Sequence, residues 1–319
     1  MKLSFVIPCY RSERTLPAVV AELKSTMAQR PELDYEIILT EDGSPDGVWQ
    51  VIRSLAEADP RIRAIRFTRN FGQHAALMAG LSAVSGDAAF LLDDDGQAPV
   101  DELFKLVDEL EKGYDVVYGA YPEIRQNAFR RFGTLANKLM AESLLDWPKD
   151  VQATSFFVCR RLIVEEILRY DKPYPYLDGL IIRATKNIGH VLVHQRSRAE
   201  GRSGYTLAKL IKLWLNGFTA FSIKPLRAAS LCGMLFALIG FVWTLVIVIV
   251  RLTSADVPDG WTTIVAVLLL VGGLLMLMLG LIGEYIGRIY ICMNNSPQYV
   301  VRECLPGDLL DRGEKRGRD

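Results

Sequence analysis

Apolar and polar positions follow two alternating regimes through roughly the N-terminal two thirds of the chain. Short runs dense in Val, Ile, Leu and Phe, at 2–10 (KLSFVIPCY), 35–42 (YEIILTED), 61–68 (RIRAIRFT), 88–94 (AAFLLDD) and 114–120 (YDVVYGA), have the length and residue types of buried strands. Between them, 16–29, 47–58, 73–85 and 101–112 carry apolar residues at helical spacing. Strand and helix in strict alternation predict an α/β domain with a mostly parallel sheet covered on both faces. Ligands of such open sheets bind beyond the carboxyl ends of the strands. Here the first, second and fourth strands end in PCYRSE, TEDGSPDG and LDDDGQAP.

Beyond residue 205 the pattern changes. Residues 228–250 (AASLCGMLFALIGFVWTLVIVIV) and 261–283 (WTTIVAVLLLVGGLLMLMLGLIG) are each 23 residues long and carry no charge. As helices they reach about 34 Å, enough for a hydrocarbon core of about 30 Å. Two buried core helices are the plainer alternative, but core helices seldom go so long without a charge. The sequence therefore predicts a C-terminal two-helix transmembrane hairpin over 228–287, with Gly272 and Gly273 permitting close helix contact. Lys209, Lys212, Lys224 and Arg227 precede the pair and Arg288 follows it, whereas the loop 251–260 sets one base against Asp256 and Asp259. That excess of bases places both flanks, and with them both termini, on the cytosolic side of a multi-pass protein.

Within 206–227, Leu207, Leu210, Ile211, Trp214, Phe218 and Phe221 recur at helical spacing, with Lys209, Lys212, Asn216 and Thr219 elsewhere on the wheel. This is the pattern of an amphipathic helix lying in the membrane interface; a helix packed on the domain surface is the alternative. Residues 1–205 then form a cytosolic domain, because the first residues run into a strand pattern and not into a signal peptide. Residues 288–319 are predicted as a cytosolic tail, polar and without fold signals after about Pro306.

Composition narrows the function classes. Lys plus Arg (37) equals Asp plus Glu (37), so no global field points to nucleic acid. The five cysteines lack C-x-x-C spacing, which argues against a structural zinc site and a disulfide framework.

The acidic clusters are the candidate chemistry. Glu41-Asp42-Gly43-Ser44 reads on its own as a turn, and Asp93-Asp94-Asp95 on its own as a solvated loop. Together they emerge on one edge of a parallel sheet, where three adjacent carboxylates call for a cation. Hard oxygen ligands suit Mg²⁺ or Mn²⁺, and Mg²⁺ commonly takes one or two carboxylates plus substrate phosphates. Such an ion can neutralise charge developing on a diphosphate leaving group. RNFGQ, at 69–73, lies before a helix whose N-terminal amides suit an anion. The basic stretch 124–140 (IRQNAFRRFGTLANKLM) reads either as a solvated helix face or as a site for an anion at the membrane surface.

FVIPCYRSE, EDGSPDG, RNFGQHAALMAGLSAVSGD, LLDDDGQAP, EGRSGYTLAKLI and LGLIGEYIGRIY resemble, in this order, the successive motifs of the family 2 glycosyltransferases that load sugars onto polyprenyl phosphates. Undecaprenyl-phosphate aminoarabinose transferases and bactoprenol glucosyltransferases look nearest, and dolichol-phosphate mannose synthases more distant. The likeness runs over about nine-tenths of the chain. It implies a glycosyltransferase A fold, Rossmann-like, in a nucleotide-sugar-binding catalytic domain over 1–205, at the inner membrane of a bacterium. It further implies a UDP-sugar, undecaprenyl phosphate as acceptor, membrane lipid around the hairpin, a Mg²⁺ or Mn²⁺ cofactor, and assembly as a homo-oligomer; no nucleic acid is involved.

Carried over residue by residue, the resemblance sets Pro8, Tyr10 and Glu13 at the nucleotide base and ribose, and Asp42 against the uracil ring. Asp93 and Asp95 match the outer residues of a D-x-D motif, with Asp95 the direct metal ligand and Asp93 nearer the ribose and diphosphate. Gln97, Arg69 and Gln73 line the same site, and His74 is not treated as catalytic. Gly96 and Ala98 depart from the usual D-x-D-L-Q-N/D-P pattern. Arg130, Arg131 and Thr134 match a region that grips the lipid phosphate, without a choice between the two arginines. Arg198, Arg202, Ser203 and Tyr205 match a loop that closes over the diphosphate or the acceptor. Asp150 matches an acidic position thought to act as base or orienter, although the following VQATSFFVCRR departs from the D-x-G pattern. A phosphate monoester with a second pKa near about 6 is largely dianionic at neutral pH, so the acceptor itself needs no base.

Two rivals are weaker. A processive polysaccharide synthase would carry Q-x-x-R-W and more spans; HQRSRAEG has no such tryptophan. A catalytically idle membrane scaffold would not need two intact acidic clusters.

Overall fold

The computed structural model describes residues 1–122, 151–194, 196, 238, 242, 249, 260–294, 296–307 and 309. β1 (Lys2–Cys9), α1 (Leu16–Met27), β2 (Asp34–Glu41), α2 (Val48–Ala58), β3 (Ile62–Phe67), α3 (Gln73–Ser82) and β4 (Ala88–Leu91) follow the predicted alternation. A 3₁₀ turn at Val100–Glu102 leads into α4 (Leu103–Glu111) and β5 (Val116–Ala120). β6 (Phe157–Arg160), α5 (Arg161–Leu168), α6 (Leu177–Ala184) and β7 (Ile188–Leu192) come next, followed by α7 (Trp261–Met293) and β8 (Val301–Leu305).

The chain divides into two compact units. One comprises Met1–Gly204 together with Asn295–Asp319, the other Tyr205–Asn294. In the first, eight strands form one sheet in the order β7-β5-β6-β4-β1-β2-β3-β8. β4, β1, β2 and β3 are mutually parallel, as predicted, and β5 pairs with β7 in parallel. β6 runs antiparallel to both β4 and β5, and β8 antiparallel to β3, so the sheet is mixed. This corrects the mostly parallel expectation, which was built only on strands that the helical alternation made visible.

The core follows the pattern that predicted it. β1 is buried from Leu3 to Cys9 and β2 from Tyr35 to Glu41, as suits central strands covered on both faces. α1 buries Leu16, Val19, Val20, Leu23 and Met27, one helical stripe, and α4 does the same with Leu103, Leu106, Val107 and Leu110. Cys9 and Cys159 are free and buried, Cys9 within this cluster.

Pro8 sits inside a central strand, where a missing N–H would ordinarily break a ladder. Its place explains the tolerance. The Val6 carbonyl accepts the Leu92 N–H at 3.3 Å, so by the two-residue period position 8 also faces β4, beyond that strand's last pair at Leu91. No ladder bond is lost there, and the chain is free to turn into the 10–13 loop.

α7, in the second unit, is 33 residues long and begins at the start of the second uncharged stretch. At 1.5 Å per residue it measures about 50 Å. Its described side chains include exposed Leu268, Leu275, Met276, Leu279 and Ile286. Among the described residues no helix is long and apolar enough to cross a membrane, and of the first uncharged stretch these include Leu238, Val242 and Ile249. The helix ends at Met293, six residues past the expected boundary at 287, and the expected tail supplies β8 to the sheet of the first unit.

Candidate active site

The carboxyl ends of β1, β2 and β4 lie side by side, with Cys9 opposite Glu41 and Val6 opposite Leu91. The loops that leave them are tied together by side chains. The Tyr10 N–H donates to Asp94 Oδ2 at 2.9 Å, and the Thr15 hydroxyl donates to the Asp94 carbonyl at 2.7 Å. The Arg11 N–H donates to Ser44 Oγ at 2.8 Å, and Arg11 holds a φ of 58°, a left-handed conformation uncommon outside glycine. Glu13 closes the link: its N–H donates to Asp46 at 3.2 Å and its carboxylate accepts the Gly47 N–H at 3.0 Å. Glu41 is buried, accepts the Ser44 N–H, and lies 3.4 Å from the Arg66 guanidinium.

Within the acidic triplet the three carboxylates have different surroundings. Asp94 turns toward the first loop, where burial pushes its carboxyl up to about 6, assisted by its two acidic neighbours and opposed by the Tyr10 N–H. Asp93 Oδ1 accepts the Gln73 side-chain amide at 2.7 Å, and Asp95 Oδ1 accepts the Gln97 N–H at 3.0 Å. Gly96 turns with φ at 75°, which bends the loop so that Gln97 reaches back to Asp95. Ala98 is buried in the hydrophobic core, where an Asn or Asp would strand a polar group. Both departures from the usual pattern therefore have a physical cause.

Asp42 follows β2 directly. It is 3% exposed, and its carboxylate is filled by the loop after β3: Oδ1 accepts the Phe71 N–H at 2.6 Å, and Oδ2 accepts the Gly72 N–H at 2.9 Å and the Asn70 amide at 3.0 Å. Burial raises its pKa, and the Phe71 and Gly72 N–H groups oppose the rise. In this arrangement Asp42 anchors a loop. Gly43 makes the approach possible, since a Cβ there would lie 2.2 Å from the Arg69 carbonyl carbon. Arg69 is exposed, with its guanidinium 4.1 Å from the centre of the Phe71 ring. Asn70 and Phe71 were not singled out from sequence; their positions in RNFGQ were the available signal.

Asp93 and Asp95 are hard-oxygen donors at the mouth of the site, and among the described residues no three His, Cys, Asp or Glu side chains gather into a closed cage. That donor set fits an ion that completes its shell with phosphate oxygens and water. Asp150, Arg130, Arg131, Thr134, Arg198, Arg202, Ser203 and Tyr205 lie outside the described residues.

Residues 4–168 match the glycosyl transferase family 2 domain, and residues 224–289 match the GtrB C-terminal hairpin. The chain belongs to glycosyl transferase family 2.

Relatives of this family 2 transferase align over nearly its whole length. An undecaprenyl-phosphate 4-deoxy-4-formamido-L-arabinose transferase of Yersinia pestis (strain Pestoides F) is 33% identical over 98% of this chain and 96% of its own. The uncharacterized glycosyltransferase YkcC of Bacillus subtilis (strain 168) is 31% identical over 95% of this chain and 94% of its own. Among solved structures, glucosyl-3-phosphoglycerate synthase from Mycobacterium tuberculosis, in complex with Mn²⁺ and uridine-diphosphate-glucose, superposes with a TM-score of 0.52 at 19% identity, covering 69% of this chain and 79% of that one. The transferase thus has the Rossmann-like glycosyltransferase A fold.

Next to Asp93 the transferase has a cavity of about 210 Å³. α3 contributes Gln73, His74 and Leu77 to it, and β4 leads into it through Leu92 and Asp93. The opposite wall is Ala153, Thr154 and Ser155 ahead of β6, Phe157 within β6, and Leu177 and Asp178 at the start of α6. His74 Nδ1 accepts the Leu177 N–H at 3.4 Å, its ring meets Tyr176 edge-on at 5.3 Å, and burial lowers its pKa to about 4. His74 is therefore neutral at physiological pH. Asp178 accepts the Tyr118 hydroxyl at 3.3 Å, and burial raises its pKa to about 6. Asp178 has no motif signal; only the fold brings it, with the 153–155 wall, beside Asp93.

Proposed function

We propose that the chain transfers a sugar from a UDP-sugar to undecaprenyl phosphate, or a related polyprenyl phosphate, at the cytosolic face of a bacterial inner membrane, with inversion at the anomeric carbon. The observation that carries this reading is the convergence of the Tyr10–Glu13, Asp42–Gly47 and Asp93–Gln97 loops at one sheet edge, in a chain 33% identical over nearly its whole length to a protein named as an undecaprenyl-phosphate sugar transferase.

Tyr10 and Glu13 border the nucleotide, and Arg69 and Gln73 flank it from the loop that Asp42 anchors. Pro8 is buried and acts by ending the ladder. Asp93 and Asp95 would hold Mg²⁺ or Mn²⁺ with Gln97 supporting Asp95; when bound, the ion neutralises charge on the departing diphosphate. A phosphate oxygen of the lipid forms a bond to the anomeric carbon. The bond from that carbon to the diphosphate breaks, and its electron pair leaves with UDP. One displacement inverts the centre. The dianionic acceptor has no proton to lose, so no base is required of Asp150, while Arg130, Arg131 and Thr134 hold its phosphate and Arg198, Arg202 and Ser203 close over the site.

The GtrB-type hairpin crosses the membrane in this reading, with 206–227 in the interface. Chain connectivity supports two crossings: residues before 205 and after 294 both belong to the unit that contains the site, because β8 pairs with β3. An even number of crossings returns the chain to the side it left. Contacts between the apolar hairpins of several copies would give the homo-oligomer.

The test is purified full-length protein with a panel of UDP-sugars and undecaprenyl phosphate, with mass detection of the lipid product. A sugar-phosphate lipid that disappears with chelator and in Asp95→Asn is expected. Full activity in Asp95→Asn overturns the metal assignment, and a failure to bind UDP or any UDP-sugar returns the scaffold reading.

A further inference from the structure

The cavity beside Asp93 has two kinds of wall. Leu77, Leu92, Phe157 and Leu177 offer apolar surface, while Gln73, Thr154, Ser155 and Asp178 offer polar groups. A pyranose or furanose ring has the same division, with C–H faces and a hydroxylated edge. At about 210 Å³ the space is smaller than drug-sized pockets, which run from about 300 to 1,000 Å³. It suits one sugar ring and not a whole nucleotide sugar.

Among the described residues the charge lining this space is one-sided. Its ionisable side chains among the described residues are Asp93, Asp178 and His74, with no Lys or Arg. His74 brings no positive charge, since its Nδ1 is an acceptor for the Leu177 N–H. An ion at Asp93 would be matched by the diphosphate that it binds. Among the described residues Asp178 is then the carboxylate left facing the ring, supported by the Tyr118 hydroxyl. A carboxylate accepts hydrogen bonds from hydroxyl or amino substituents. It repels a second carboxylate where little water remains to screen the two.

We infer that this cavity is the subsite for the transferred sugar, and that Asp178 is a specificity-determining residue which admits neutral or amino-substituted sugars and excludes uronic acids. The inference rests on the donor-site reading above and adds the chemical class of the sugar to it.

UDP-glucose and UDP-glucuronic acid differ by a CH₂OH against a carboxylate on one ring, so their comparison isolates the charge. Affinities of UDP, UDP-glucose and UDP-glucuronic acid for the full-length wild-type protein, measured by calorimetry with Mn²⁺ present, are the readout. The uronate is expected to bind at least tenfold more weakly than UDP-glucose. In Asp178→Asn, which keeps the side chain's shape, that ratio is expected to fall toward one while UDP affinity stays within twofold. Equal or tighter uronate binding by the wild type overturns the inference without any variant, and an unchanged ratio in Asp178→Asn assigns the exclusion elsewhere and overturns the role of Asp178. Absence of UDP binding to the wild type overturns the donor-site reading itself, a result distinct from either.

Discussion

Tyr299 stacks on Phe67, ring centroids 5.1 Å apart and planes 10° from parallel. Phe67 in turn meets Phe71 edge-on at 5.6 Å, and the Phe71 N–H is held by Asp42. The Thr68 N–H donates to the Val300 carbonyl at 3.0 Å alongside this stack. The segment that follows α7 therefore props the loop that carries Arg69 and Gln73. Tyr299→Ala is expected to cost about 2 kcal/mol of stability through lost stacking and burial, and to raise KM for the UDP-sugar several-fold with a smaller change in kcat. Tyr299→Phe keeps the ring and should restore KM. Thermal melts and steady-state kinetics on the pair separate positioning from general destabilisation.

Two glycines in the site differ in what they tolerate. At Gly43, φ is +59° and an added Cβ would meet the Arg69 and Asn70 backbone at 2.2 and 2.3 Å. At Gly96, φ is +75° and the nearest atom to an added Cβ is 3.9 Å away. Gly96→Ala should cost only the left-handed strain, about 1–2 kcal/mol. Gly43→Ala adds a backbone clash and should cost about 3 kcal/mol or more, with loss of UDP binding. Equal effects in melting and UDP titration would contradict the geometry.

The three aspartates of the triplet should rank unequally. Asp95→Asn and Asp93→Asn remove candidate metal oxygens and are expected to lower activity by at least a hundredfold. Asp94→Asn retains an acceptor for the Tyr10 N–H and removes a carboxylate whose charge burial disfavours. It should keep a tenth or more of the activity. Product formation at saturating Mn²⁺ gives the ranking.

Asp178 leaves a mark on the pH dependence of stability. Its folded pKa of about 6 lies above the ordinary carboxylate value of 3.8. Between these values the folded state keeps a proton that the unfolded state has lost. Stability from this group is thus fully present below about pH 4, declines as pH rises, and is gone above about pH 6. At about 1.4 kcal/mol per pH unit the total is about 3 kcal/mol. Asp178→Asn should lack this slope, so the difference in Tm between wild type and variant should change between pH 4 and 6 and level off above that range.

The return of the chain through β8 predicts sidedness. In a cysteine-replaced background, Asp256→Cys should react with a membrane-impermeant thiol reagent added to the outside of cells. Arg302→Cys, placed on β8, should react only after the membrane is opened. Labelling of both from outside would contradict a crossing between residues 256 and 302.

Much of this protein is local in origin. The strand ends Cys9, Glu41 and Leu91, the apolar stripes of α1 and α4, and the uncharged stretch that opens α7 are each fixed by a short-range period, and a parallel sheet with acidic loops on one edge follows from them. Sequence order also marked Asp93 and Asp95, because a D-x-D at a strand end is a contiguous signal. Tertiary structure decided what depends on partners distant in the chain. β6 and β8 are not among the runs that the alternation marks, and their antiparallel placement is set by pairing with β4, β5 and β3, strands distant in the chain. Asp42 is marked by its motif, but the 70–72 loop that supplies its three hydrogen-bond donors is brought to it only by the fold. Asp178 had no motif at all; the fold alone sets it against the Tyr118 hydroxyl, sixty residues away, on the wall of a sugar-sized space.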